Sequence, residues 1–361
     1  MRIALLHPTY WPEVRRGSER LVHDLGETLA ERGHEVTVLT SHPGRRSTAT
    51  EDGIRVVRAR RLPQPPTFGL NEYHLGNVPN VIGALVRGRF DVAHAFQLSD
   101  AWAAAKALRF GGPRFAFSFH GMPTRAHLVN RRYRPEMLEY VLRRASAFSV
   151  LSEAAAAPFH RYLLRKPRIL PGGVIAGEFD VGTSKVDPVT VFSAASLGDP
   201  RKRGALLLEA FSLLRQSRHD LRLRIARTED PHLSPYRLEL PAGAEWSEPR
   251  TTAEIAREYA SASASVLASE EEAFGLVLVE SLAAGTPVVA ARSGACPEIV
   301  DDPRLGTLFD GDDPAALAAA IETTIALATQ QETRERCIAR GREFDWSRVV
   351  ERYEEVYDLV A

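Results

Sequence analysis

The sequence predicts an α/β protein of two domains, each built on a parallel sheet with helices on both faces. Three observations predict it: a length of 361 residues, a repeated alternation of short apolar strands with helical segments, and one break in that alternation near the middle. At roughly 150 residues per domain the length suits two full cores with a cleft between them. With 44% hydrophobic and 25% charged residues the composition is that of an ordinary globular chain, which excludes disordered and fibrous classes.

The alternation opens with IALLH (3 to 7), an apolar run followed by a turn-rich loop, a helical pattern from Glu19 to Arg32, and EVTVLT (35 to 40). VIGALVR, DVAHAF, AWAAAKAL, FAFSFH, EMLEYVLRRA, AFSVLS, EAAAAPFHRYLL and RILPGG continue the rhythm. Strands that alternate with helices pair in parallel, and such sheets bind ligands in the crevice beyond the carboxyl ends of their strands. After Gly173 the stretch AGEFDVGTSKVDP has Gly, Ser, Asp and Pro without periodicity, so a link between domains is expected at 176–188. The rhythm resumes with VTVFSAA (189 to 195), a helix from about Gly204 to Gln216, LRLRIA, a helix near 253–261, ASVLA and a helix from about Phe274. VVAA, a short helix, GTLF and a long helix over 313–328 complete a second sheet, and FDWSRVVERYEEVYDLV closes the chain as an amphipathic helix. The expected domains are therefore 1–175 and 189–343, with 344–361 as a separate closing helix.

Five apolar residues precede His7 and Pro8, short of the roughly 7 to 15 of a signal-peptide core. No uncharged apolar run approaches the roughly 18 residues that span a bilayer. Cys296 and Cys337 are too few for a disulfide framework or a zinc site and suit a reducing, cytoplasmic setting, as small core or surface residues. The formal net charge of zero hides a division: residues 1–175 carry 26 Lys+Arg against 14 Asp+Glu, and the remainder 20 against 32. Such an asymmetry fits an anionic partner for the first half, or solvated charges alone.

Four loops placed directly after strands carry residues capable of chemistry. In RRGSE (15 to 19), Gly17 would let backbone N–H groups approach a ligand at a helix start; a plain turn glycine with Ser18 as the cap fits the same residues. FAFSFHG (115 to 121) ends an apolar strand at His120, where a neutral imidazole could bind a hydroxyl or share a proton near pH 7, or serve structure alone. GDPRKRG (198 to 204) sets Arg201, Lys202 and Arg203 beside the donors of a helix opening, a natural place for phosphate, although three basic residues also make a solvated turn.

In EEAFGLVLVE (271 to 280) two acids bracket an uncharged run. Glu272 precedes a helix, and Glu280, two turns on, lies on roughly the same side, with the amides of Phe274, Gly275 and Leu276 as first-turn donors between them. The alternative makes Glu272 a charge complementing the helix dipole and Glu280 an exposed helix residue. Because the helix body is apolar, Glu280 is expected to be half buried and in need of a partner.

These residues resemble the retaining GT-B glycosyltransferases of family 4, the group 1 transferases, over nearly the whole chain. EAFGLVLVESLAAGTPVVA looks like that family's Glu, seven residues, Glu signature, and PEVRRGSERLVHDLGETLAERGHEVTVLT is similar to its opening loop and first helix. FHG, SVLSEAAA, ILPGGV, SGACPEIV and FDWSRVVERYEEVY look like further landmarks. The resemblance implies two facing Rossmann-like domains, the acceptor held mainly by the first and a nucleotide-sugar donor mainly by the second, with the last helix crossing back to the first. It implies that Glu280 holds the donor ribose, Glu272 the donor sugar, Lys202 the diphosphate and the amides of Phe274, Gly275 and Leu276 sugar and phosphate, while His120 faces the transferred sugar. No metal and no cofactor is implied, the nucleoside-diphosphate sugar being a substrate.

The chain departs from the family in three places. Ala195 and Ser196 stand where Gly-Arg usually precedes the phosphate lysine, so Arg201 or Arg203 would substitute; Arg16 and Gly17 replace paired glycines; and LRLRIARTEDP lacks the usual glycines. The expected activity is transfer of a sugar to an acceptor hydroxyl with retention. The alternatives are a nucleotide-sugar-binding protein of the same fold without transfer activity, or another GT-B enzyme such as a nucleotide-sugar epimerase. The basic first half, with RRYR (131 to 134) and RR (143 to 144), fits an anionic, lipid-linked or soluble phosphorylated acceptor, or peripheral attachment to the inner face of an anionic membrane. Nucleic acid is not an expected partner.

Overall fold

The computed structural model describes residues 1–61, 75–124, 134–163, 166–182, 185–227 and 239–361. Residues 131–133 of RRYR and 228–231 of LRLRIARTEDP lie outside the described residues. The chain forms two compact units, Met1–Gly172 together with Trp346–Ala361, and Gly173–Asp345.

The first unit holds an eight-stranded sheet in the order β3-β4-β2-β1-β5-β6-β7-β8. Its strands are β1 (Arg2–Leu6), β2 (Glu35–His42), β3 (Ser47–Glu51), β4 (Ile54–Arg60), β5 (Val92–Ala95), β6 (Phe115–Phe119), β7 (Ala147–Val150) and β8 (Arg168–Ile169). All pair in parallel except β3 with β4. This hairpin is absent from the sequence expectation, because its strands STATE and IRVVRAR mix polar and apolar residues at an edge. The central strands β1, β5 and β6 are buried on both faces, as a parallel sheet covered by helices requires.

The helices are α1 (Gly17–Glu31), α2 (Val78–Arg87), α3 (Leu98–Ala107), α4 (Arg134–Leu142) and α5 (Glu153–Leu163). Alanines of α3 pack in one core with Phe115, Phe117 and Phe119; the Phe117 ring meets Phe148 and the Phe119 ring meets Phe159. The closing helix, numbered α13 in chain order (Trp346–Val360), also belongs here. It buries Tyr353 and Tyr357 and ties to α1 through Glu354, which accepts from the Arg32 guanidinium at 2.8 Å.

The second unit is an all-parallel sheet in the order β11-β10-β9-β12-β13-β14. Its strands are β9 (Thr190–Ser193), β10 (Arg222–Ala226), β11 (Ala244–Ser247), β12 (Ala264–Leu267), β13 (Val288–Ala291) and β14 (Gly306–Phe309). The helices are α6 (Ala176–Phe179), α7 (Gly204–Ser217), α8 (Thr252–Ser261), α9 (Leu276–Ala283), α10 (Cys296–Ile299), α11 (Pro314–Leu327) and α12 (Gln331–Glu343). Cys296 and Cys337 are buried free thiols.

The described part of the stretch expected as a link, 176–188, is folded into this unit rather than standing between units. Its polar composition hides Phe179, which is fully buried with its ring 6.3 Å from that of Tyr259. The amide of Ala176 donates to Asp345 Oδ2 at 2.8 Å, and Lys185 Nζ donates to Thr286 Oγ1 at 2.6 Å.

Candidate functional site

In the second unit two loops at the carboxyl ends of neighbouring strands meet. The loop after β9 turns through a short 3-10 segment, Pro200–Lys202, capped by Asp199, whose carboxylate accepts the Arg201 amide at 3.0 Å and the Arg201 guanidinium at 2.6 Å. The loop after β12 is stitched to it where the Glu270 amide donates to the Arg201 carbonyl at 2.8 Å. From this junction Lys202 Nζ reaches Glu272 Oε2 at 2.6 Å, with the side chains only 21% and 17% exposed. Burial alone would raise the Glu272 pKa, but Lys202, Ser269 and Arg201 together hold it below its usual value, so the carboxylate stays ionised.

The backbone carrying Glu272 is held in an uncommon shape. Glu271 has φ +55° and Gly275 φ +93°, both left-handed, which lets the chain turn sharply into α9. The loop after β13 clamps it: Ser293 Oγ accepts the Glu271 amide at 3.0 Å, and the Ala295 amide donates to the Glu272 carbonyl at 2.8 Å. Gly294, at φ +55°, passes so close that a Cβ there would lie 2.1 Å from the Glu272 carbonyl oxygen.

The first turn of α9 has amides without helical partners, and those of Phe274, Gly275 and Leu276 stand at this positive end beside Glu272 and Lys202. Glu280, further along α9, is buried at 6% exposure and accepts the Tyr259 hydroxyl at 2.9 Å. Tyr259 is fixed in turn by Phe192 at 5.0 Å and by Thr286, whose hydroxyl donates to its carbonyl at 2.6 Å.

The first unit gathers polar groups at the carboxyl ends of β1, β5 and β6. His120 follows β6 with both ring nitrogens buried and, among the described residues, without a hydrogen-bond partner; burial, and next the nearby His7, push its pKa down to about 3. His7 follows β1, its Nδ1 2.6 Å from the Thr9 carbonyl. The Phe96 ring lies 5.1 Å from that of His120 and 4.1 Å from that of His94. His94 is fully buried, with Tyr357 Oη 2.9 Å from Nδ1 and Ser118 Oγ 2.7 Å from Nε2, so α13 is anchored to the strand that supports this cluster.

Of the residues singled out in the sequence, the second unit brings Arg201, Lys202, Glu272, Phe274, Gly275 and Leu276 to one place, with Glu280 on the same helix. Gly17 and His120 belong to the first unit. Two expectations change. The Arg203 guanidinium is engaged by the fold, donating to the Ala268 carbonyl at 2.5 Å and the Gly311 carbonyl at 3.0 Å and pairing with Asp312, so it is a brace rather than a free phosphate ligand. Phe274 was expected to offer its amide rather than its side chain, and the side chain packs on Phe344 with ring centroids 5.8 Å apart. Gly17 is the first residue of α1 and is not among the glycines of positive φ, and Arg16, not Ser18, is the N-cap, while Ser18 Oγ donates to Glu19.

Sequence reasoning missed Asp199, Tyr259, Ser293 and Gly294. The sequence signal for the last two was SGACPEIV; nothing local marked Tyr259, which is distant in the chain from Glu280. Among the described residues no group of three or more His, Cys, Asp or Glu side chains is arranged to hold a metal ion.

Two Rossmann-like units, each with its polar groups at the carboxyl ends of parallel strands, make up the GT-B fold. The family model described as Glycosyltransferase Family 4 matches residues 15–176, and that described as Glycosyl transferases group 1 matches residues 178–344. The chain belongs to this family of glycosyltransferases. It is 29% identical to a phosphatidyl-myo-inositol mannosyltransferase of Mycobacterium tuberculosis, covering 100% of this chain and 97% of the relative. It is 45% identical over 93 residues, 26% of this chain and 21% of the other, to a D-inositol 3-phosphate glycosyltransferase of Thermobifida fusca. The sucrose-phosphate synthase of Thermosynechococcus elongatus shares the fold at a TM-score of 0.82 with 20% identity, over 99% of this chain and 98% of that one. HepE of Anabaena, solved with UDP-glucose, does so at 0.75 with 18% identity, over 99% of both chains.

Proposed function

We propose that the protein transfers a sugar from a nucleoside diphosphate to an acceptor hydroxyl with retention of the anomeric configuration. The observation that carries this reading is the contact of Lys202 with Glu272 at the start of α9, which puts a cation, a carboxylate and helix-terminal amides within one ligand's reach. In this reading Lys202, Arg201 and the amides of Phe274, Gly275 and Leu276 neutralise the leaving diphosphate, so the reaction calls for no metal and no cofactor. Glu272 binds a hydroxyl of the donor sugar. Glu280 binds the ribose, its carboxylate oriented by Tyr259. Arg203 holds the phosphate loop in place. Gly17, at the start of α1, is assigned to donor binding, and His120 to the transferred sugar.

The acceptor hydroxyl attacks from the face that the diphosphate leaves, through an oxocarbenium-like transition state, and a leaving phosphate oxygen takes its proton. No protein nucleophile is required. The names of the relatives, and the basic balance of residues 1–175, support an acceptor that is lipid-linked or phosphorylated, reached by a cytoplasmic protein attached peripherally to an anionic membrane. No helix among the described residues is long and apolar enough to cross a membrane.

The test is a panel of common nucleotide sugars offered to the purified chain with phosphatidylinositol vesicles or inositol phosphate, following nucleotide release and the product's anomeric proton by NMR. Transfer with the donor's configuration kept supports the reading; inversion, or a changed free sugar released without any acceptor, refutes it.

A further inference from the structure

The amino edge of the first unit's sheet, the end away from His120, carries an exposed knob. Phe110 closes the 3-10 turn that follows α3 and precedes β6, and Gly111, left-handed at φ +82°, turns the chain behind it. At 66% it is the most exposed of the large hydrophobic residues described. Four exposed cations stand in the turns that lead into two neighbouring strands, Arg87 and Arg89 before β5 and Arg109 and Arg114 before β6. Among the described residues none of the four has an ion pair, and the one acid in these turns, Asp91, is taken by Arg2 at 2.7 Å. Val86, beside Arg87, is a further 36% exposed. An aromatic ring among arginines is the composition enriched at protein interfaces.

The second unit offers the complement. An open groove of about 560 Å³ is lined by α7, by residues 239–241 and by the first residue of α11, with Leu208, Leu213, Leu240, Pro241 and Pro314 in its walls. Leu213 is itself 41% exposed. The charged residues that line the groove are Glu209 and Glu239, both exposed and, among the described residues, without an ion pair. The units as wholes differ in the same sense: the first carries 28 Lys+Arg against 18 Asp+Glu, and the second 18 against 28. A chain of zero net charge repels its own copies little, and this division lets them attract where unlike units meet.

We infer that Phe110 of one copy seats in the Leu213 groove of a second copy, with the arginines around it facing Glu209 and Glu239. Knob and groove are different surfaces, so the contact is heterologous. Each copy gives its knob to one neighbour and its groove to another, and the assembly grows head to tail unless it closes into a ring. Burial of the exposed ring and of Leu213 supplies affinity, while the opposite charges set the register and make association depend on salt. The contact uses none of the candidate site residues, so it stands or falls apart from the reading of the protein as a glycosyltransferase.

Sedimentation of the full chain at rising concentration tests it, in about 20 mM and about 500 mM salt, which lie on either side of the ionic strength that screens charges over about 10 Å. The expected result is a mass that climbs above the 39.8 kDa of one chain in low salt. High salt, Phe110→Ser or Leu213→Lys should each weaken that association about tenfold or more. The decisive arm mixes the two variants. Each alone lacks half of the contact, and together they keep one intact knob and one intact groove, so the mixture should form a pair of chains and nothing larger. A parent that sediments as one chain at every concentration overturns the inference; so does association that neither variant weakens, or a mixture that forms no pair. Anionic lipid vesicles that bind the parent through Phe110 while it stays a single chain would give the knob to a membrane and overturn it as well. Both substituted residues are exposed, so both variants should melt like the parent; Arg109→Glu and Glu209→Arg repeat the comparison for one that does not.

Discussion

Replacing Gly294 with Ala should disable the protein by displacing the backbone of Glu272. The new methyl carbon would lie 2.1 Å from the Glu272 carbonyl oxygen and 2.7 Å from its nitrogen, where ordinary contact begins at 3.4 Å. The two segments must therefore part by about 1.3 Å, and the Ala295 amide, at 2.8 Å, loses the Glu272 carbonyl. Holding alanine at φ +55° costs about 1–2 kcal/mol, and the lost hydrogen bond about 1 kcal/mol more. For a unit of this size that is a fall of roughly 5 to 10 °C in melting temperature. Displacing Glu272 by about 1 Å should cost on the order of 100-fold in kcat. Steady-state transfer with a competent donor and acceptor, beside a melting curve, reads both. A variant that melts and turns over like its parent would show that the loop after β13 does not set the position of Glu272.

Further outcomes follow from the same contacts. Tyr259→Phe removes the hydroxyl that donates to buried Glu280 and should cost about 1–3 kcal/mol in denaturant unfolding, with weakened donor binding by titration calorimetry. Arg203→Ala should lower stability more than it raises KM, because the guanidinium binds the fold; a KM change at constant melting temperature would return Arg203 to the ligand. His120 binds a proton more readily unfolded, near 6.5, than folded, near 3, so its contribution to stability is full above about pH 6.5 and is lost as pH falls towards 3. Unfolding of His120→Asn between pH 4 and 7 should accordingly be flatter than that of the parent. Glu272 has the usual carboxylate sign: its lowered native pKa gives stability above about pH 4.5 that is lost below it, and Glu272→Gln should remove that acid-limb loss in melts at pH 3 to 6.

The parts of the fold that repeat a period were legible. Strands such as RIALL and VVAA and helices such as Gly204–Ser217 stand within a residue or two of where apolar runs and helical spacing put them. Elements whose formation depends on their neighbours were not: the β3–β4 hairpin, β11 and α12 carry weak local patterns, and 176–188 looked like a link until Phe179 was seen against Tyr259. The same holds for the candidate site. Lys202 and Glu272 were visible because each follows a strand and borders a helix, but the roles of Arg203 and Gly294 were not, since they depend on carbonyls from segments distant in the chain. The need of Glu280 for a partner was readable from its apolar surroundings; that the partner is Tyr259 was not.

The central claim is that Lys202, 2.6 Å from Glu272, meets the developing charge of a leaving diphosphate. Turnover of Lys202→Ala, measured with a donor and acceptor that the parent uses, tests it most directly. Loss of a charged donor to the transition state, at about 2.7–4 kcal/mol, predicts a fall in kcat of roughly 100- to 1000-fold with the fold intact. A Lys202→Ala protein that keeps its full kcat would contradict the account.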